Sequence, residues 1–153
     1  MKTHVHFCGI AILLLAWAIS GEAQIKGYWR AASSTAESIT GDITFSDSKL
    51  TINFIAFPIS EIRSLGPVEL GAAFDADVKT GGTGSLYRLT VPAARRFVRH
   101  NTLCGTEDTQ WMATFVSGKT LQVAFFSGAD APVFTMDALR DSTDLCGTYR
   151  YVR

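Results

Sequence analysis

The sequence predicts an all-β protein: one antiparallel meander of strands closed into a small barrel with one short helix, and a β-sandwich as the alternative packing. Three observations lead there. Apolar and polar residues alternate with period two in run after run, turn residues separate the runs, and helical periodicity is nearly absent. Eight or nine such runs follow residue 24, several with both faces partly apolar, and closure is favoured because a barrel leaves no strand edge unpaired.

Residues 25–31 (Ile-Lys-Gly-Tyr-Trp-Arg-Ala) form a first short strand. In Ile39–Phe45 the apolar side chains fall on odd numbers, and Ser46-Asp47-Ser48-Lys49 makes a turn into a partner strand, Leu50–Phe57, which Pro58 ends. Ile59–Leu65, Leu86–Val91, Gln110–Val116, Thr120–Phe126, Val133–Met136 and Leu145–Val152 complete the set. Ser117-Gly118-Lys119 and Ser127-Gly128-Ala129-Asp130 read as short hairpin loops, so sequence neighbours should pair antiparallel. Two stretches interrupt the pattern. Gly66–Ser85 is rich in glycine and acidic residues and reads as a loop, and Pro92–Asn101, with proline at its start, reads as the one short helix.

The 153 residues are 47% hydrophobic and 18% charged, with 14 basic and 14 acidic side chains. That is one domain without the cationic surplus that binding to nucleic acid or to an anionic membrane surface requires. Met1–Ala23 has a short polar start with Lys2, an apolar run over Ile10–Ile19 and small residues at Gly21 and Ala23. This order reads as a secretory signal peptide cleaved after Ala23, because the run is about half of what a bilayer span needs. The expectation is a leader at 1–23, a single domain at 24–153, a periplasmic or secreted location and no membrane span after cleavage. The shorter chain stays neutral and keeps one histidine, His100, and two cysteines, Cys104 and Cys146. In an oxidising compartment those two are expected to form a disulfide. Each sits in Leu-Cys-Gly-Thr, at 103–106 and 145–148, which suggests two strand starts brought side by side.

Gly27-Tyr28-Trp29 near the start of this domain, with Arg150 or Arg153 near its end, resembles the lipocalin-type small barrel. The resemblance implies that the first strand begins at Gly27 and that a late arginine packs over the Trp29 ring, although the long helix that follows the lipocalin barrel has no counterpart here. Asn101-Thr102-Leu103-Cys104-Gly105 and Leu145–Tyr151 are also similar to small secreted proteins of Gram-negative bacteria, a likeness that implies a compartment and no activity.

Chemistry is sparse. Nucleophilic catalysis needs a base, and His100 in Arg-Arg-Phe-Val-Arg-His-Asn has no Gly-x-Ser-x-Gly elbow to serve. Glu69, Asp75 and Asp77 lie near Gly81-Gly82-Thr83-Gly84, but the order of oxygens a calcium loop needs and the Lys-Ser/Thr of a phosphate loop are both missing. No catalytic residue, metal ligand or cofactor is therefore expected. Candidate ligand or partner contacts are the basic cluster Arg95, Arg96 and Arg99 and the aromatic residues Trp29, Trp111 and Tyr149. The expected function is non-enzymatic binding of a small apolar or amphipathic ligand. The alternative is a protein-interaction module, such as an enzyme inhibitor or an immunity or envelope-stress factor, acting through the loop at Gly66–Ser85.

Overall fold

A computed structural model describes residues 24–77, 79 and 81–153; the predicted leader lies outside them. Eight strands close into an antiparallel barrel in sequence order: β1 (Gly27–Ala31), β2 (Ile43–Phe45), β3 (Lys49–Ile52), β4 (Ile55–Ser64), β5 (Thr83–Val91), β6 (Thr109–Ser117), β7 (Thr120–Phe126) and β8 (Leu145–Val152). The ring closes where Arg30 and Ala31 pair with Val152 and Tyr151. Among the described residues three short α-helices lie in the connections: α1 (Ser34–Ile39), α2 (Pro67–Phe74) and α3 (Met136–Arg140).

Alternation along the strands sorts side chains into two apolar layers. Trp29, Leu50, Ile52, Met112, Leu121, Phe125 and Tyr151 point inward and are fully buried, so the barrel is filled by its own side chains. Leu86, Ala113, Phe115, Ala124 and Phe126 point outward from β5–β7 and form a second layer with Leu70 and Phe74 of α2 and with Phe134. Here α2 comes very close to the sheet. A Cβ on Gly84 would stand 2.2 Å from the Thr114 carbonyl oxygen and 2.4 Å from Leu70 Cδ2, so only glycine fits.

Several elements differ from the sequence reading, each for a local reason. Ile39–Phe45 is not one strand. Ser33 caps α1 by accepting from the Ala36 N–H, and Gly41, at φ +62, ends it by donating its N–H to the Ala36 carbonyl. Leu50–Phe57 is a hairpin, turned at Asn53 and Phe54, both left-handed at φ 47 and 66. Pro58 does not end a strand: it faces Lys49 inside β4, and the ladder to β5 begins one residue later at Ile59 and Leu89, so its missing N–H breaks no ladder bond there. The presumed loop at Gly66–Ser85 contains α2, with Pro67 at its first position and Glu69 reaching back to the Gly66 N–H, and it also contains the start of β5.

The expected helix over Pro92–Asn101 is a turn at Pro92–Arg95 followed by a 3₁₀ turn, Val98–His100, with Arg99 and His100 left-handed at φ 53 and 61. The chain reverses here because Phe97 and Leu103 are buried at the barrel end, Phe97 edge-on to Phe57 at 6.0 Å. Val133–Met136 is no strand and 127–130 no short hairpin. The connection from β7 to β8 buries Phe134 edge-on against Phe126, and Thr135 caps α3. Cys104 and Cys146 are bonded, with Cα atoms 4.9 Å apart, but only Leu145–Thr148 starts a strand; Leu103–Thr106 lies in a turn before β6. Among the described residues no helix is long and apolar enough to cross a membrane.

Candidate functional site at the barrel mouth

The meander places the β2–β3, β4–β5 and β6–β7 connections, residue 24 and residue 153 at one end of the barrel, and α1, the 92–108 connection and α3 at the other. The first end holds a cleft of about 620 Å³.

Two features build it. In β4 a register shift between Glu61 and Arg63 opens the wall, and α2, leaving β4 at Leu65, forms the rim. Inward positions of β5 and β6 supply the polar floor: Ser85 donates its hydroxyl to Glu61 Oε1 at 2.6 Å, and the backbone of Ser85 pairs with the Thr114 hydroxyl at 3.4 Å. Tyr87 lies beneath. Burial, and then the Glu61 charge, push its phenol above the ordinary value. Ile25, Leu65, Leu70 and Val116 complete an apolar wall. The segment 24–26 crosses the mouth. Trp29 Nε1 donates to the Ile25 carbonyl at 2.6 Å, Arg153 Nη1 to the Lys26 carbonyl at 3.2 Å, and Lys26 pairs with Asp47.

The residues singled out by sequence lie elsewhere. Trp29 is buried under the mouth and stacked by Arg153, whose guanidinium is 4.3 Å from the ring centroid; Arg150 is not the partner. Trp111 is on the outer wall beneath Arg88, at 4.6 Å, and belongs to the outer layer. Tyr149 is inside, edge-on to Phe125 at 5.3 Å, and burial pushes its phenol up to about 12. Arg95, Arg96, Arg99 and His100 are exposed at the opposite end, and the arginines do not share a helical face. Glu69 is committed to Arg63 at 2.7 Å, and among the described residues no group of three or more His, Cys, Asp or Glu could hold a metal ion.

Glu61, Ser85, Tyr87 and Thr114, polar groups of the cleft, were missed. Their signal was the inward set Thr83, Ser85 and Tyr87 in β5, which alternates with outward Gly84 and Leu86. The arrangement can present one carboxylate and several hydroxyls beside an apolar wall, without histidine in the lining. Compared with protein-family models, curated proteins and solved structures, the chain has no significant match, so the fold and the cleft carry the functional argument.

Proposed function

We propose that the protein is a non-enzymatic binding protein of the periplasm or the extracellular space that holds a small amphipathic ligand at the barrel mouth. The mouth cleft carries the reading. It has a drug-sized volume, an apolar wall of Ile25, Leu65, Leu70 and Val116, and convergent polar groups at Glu61, Ser85 and Tyr87. The filled interior leaves no room for a ligand in the barrel axis, so an apolar tail lies along the wall while a hydroxyl or amine meets Glu61. The disulfide and the Trp29–Arg153 stack support an exported lipocalin-like barrel.

The test is native mass spectrometry of the purified protein together with titration of the apolar fluorophore N-phenyl-1-naphthylamine. Thr83 is exposed at the rim on the inward face, so Thr83→Trp fills the cleft without touching the core. A co-purifying small molecule, or probe uptake lost in Thr83→Trp with an unchanged melt, is expected. No bound molecule and no uptake, or equal uptake by the variant, overturns the reading.

A second reading, the protein-interaction module, is favoured by a different observation: Phe54, at a hairpin tip, is 99% exposed. In the segment Gly66–Ser85, α2 is packed onto the barrel wall through Leu70 and Phe74 and leaves Val68 exposed.

A further inference from the structure

The end of the barrel opposite the mouth carries two departures from relaxed backbone, side by side. The β3–β4 turn puts Asn53 and Phe54 in the left-handed region, at φ 47 and 66. In a two-residue turn of this hand the second place ordinarily goes to glycine, since a Cβ there is strained, and a bulky aromatic is a poor choice. Phe54 gains nothing from burial in return, for it is 99% exposed. The 3₁₀ turn repeats the pattern, with Arg99 and His100 exposed at φ 53 and 61. Strain of this kind persists where the surroundings enforce it and a function uses it.

The two turns meet at one cleft of about 410 Å³, lined by Phe54 and Asn53 on one side, Val98 on another, and Tyr28, 58% exposed, along the outer sheet face. The loop bearing the arginines is held rigidly. The Cys104–Cys146 bond ties its far side to β8, Asn101 Nδ2 donates to the Ser38 carbonyl at 2.9 Å, and the Ala93 N–H donates to Asp108 Oδ1 at 2.8 Å. Among the described residues Arg95, Arg96 and Arg99 form no ion pair with a carboxylate. Of the acids nearby, Asp108 accepts from the Ala93 N–H and Asp42 from the Ala31 N–H and the Tyr28 hydroxyl, while Glu37 and Glu107 are exposed and form no salt bridge with the three arginines.

We propose that this end is a docking surface for an acidic protein, which receives the Phe54 ring in an apolar pocket, fills the cleft between Tyr28 and Val98, and sets carboxylates against Arg95, Arg96 and Arg99. Charge complementarity names the sign of the partner. The concavity beside the protruding ring suits a folded protein, which can set a fixed side chain of matching shape into it while its own pocket receives the ring. A pre-ordered loop and an aromatic anchor lose little freedom on association.

The test uses the full chain with a photoreactive benzoylphenylalanine at position 54, expressed in the producing cells, and the same residue at Val68, 85% exposed on α2, as the control. One acidic protein captured from position 54 and not from 68 is expected. Purified, it should bind the wild-type chain with salt-dependent association. Phe54→Ala should weaken it at least about tenfold, and R95E/R96E/R99E should slow association at least about tenfold. Phe54→Gly keeps the fold honest: it relaxes the turn, so its melt should be no lower than wild type while binding is lost. Thr83→Trp should leave this binding intact, which separates it from the mouth cleft. The proposal is overturned if position 54 captures nothing or only second copies of the chain, if Phe54→Gly binds as wild type does, or if phosphatidylglycerol vesicles bind and the same variants abolish that instead.

Discussion

Removing the Cys104–Cys146 bond tests the relation between the loop at the docking end and the stability of the barrel. The two cysteines are 42 residues apart in sequence, and the bond fastens the connection that carries Phe97 and Leu103, both buried plugs of the barrel end, to the start of β8. In the chain-entropy account, closing a loop of that length removes about 4 kcal/mol of freedom from the unfolded chain. A domain of this size has about 5–15 kcal/mol in all. The double variant C104A/C146A is therefore expected to lose about 4 kcal/mol in urea denaturation, with a fall in Tm of about 10–20 °C. The packing of Phe97 on Phe57 survives the substitution, so the loop loosens before the barrel opens, and hydrogen exchange in 92–108 should rise first. The assay compares wild type, the double variant and reduced wild type, with thiols counted under denaturing conditions. Two free thiols in the untreated chain refute the reasoning, as does a midpoint that stays put while the thiol count shows the bond fully reduced.

Phe125 is fully buried inside the barrel, and Phe125→Ala should cost about 3–5 kcal/mol by equilibrium unfolding; a loss below 1 kcal/mol contradicts a filled interior. Gly84→Ala puts a methyl 2.2 Å from the Thr114 carbonyl oxygen, a backbone atom that cannot swing away, so a loss of about 1–3 kcal/mol is expected, with α2 displaced. Arg63, then the Gly66 N–H, holds the Glu69 carboxyl down from 4.5 to about 2. A depressed carboxyl stabilises the fold above its unfolded value, and that share is lost as pH falls from 4.5 towards 2. Because the pair lies at the surface its worth is at most about 1 kcal/mol. Acid titration of stability should accordingly be flatter in Glu69→Gln over that window, and identical slopes would count against the pairing.

The parts of the fold legible in the sequence are those whose burial follows period two without outside help. Thr120–Phe126 and Leu145–Val152 are strands with the bounds that alternation indicates, since each pairs on both sides within one barrel wall. The helices were illegible for a physical reason. At six, eight and five residues none runs long enough for a 3.6-residue period to register, and what marks them is their caps: Ser33, Gly66-Pro67 with Glu69, and Thr135. The mouth cleft was hidden by α2, which covers the outer face of β5 so that Leu86 outside and Tyr87 inside are both buried and the inward polar set loses its contrast.

Phe54 is the instructive failure. In Leu50–Phe57 it falls where alternation expects an inward apolar residue, and by composition it is indistinguishable from a core position. The chain turns there all the same, because Ile52 and Ile55 pair across it while Leu50 and Phe57 bury, leaving Phe54 outside with nothing to cover it. Where pattern, turn chemistry and burial agree, folding alone accounts for a residue; at Phe54 all three disagree, and a requirement beyond folding has to account for the ring. The three arginines on the neighbouring loop have a related character: Arg96 Nη1 donates to the Ala93 carbonyl at 3.0 Å, but among the described residues none of the three charges is paired with a carboxylate, and the loop that carries them is fastened by a disulfide.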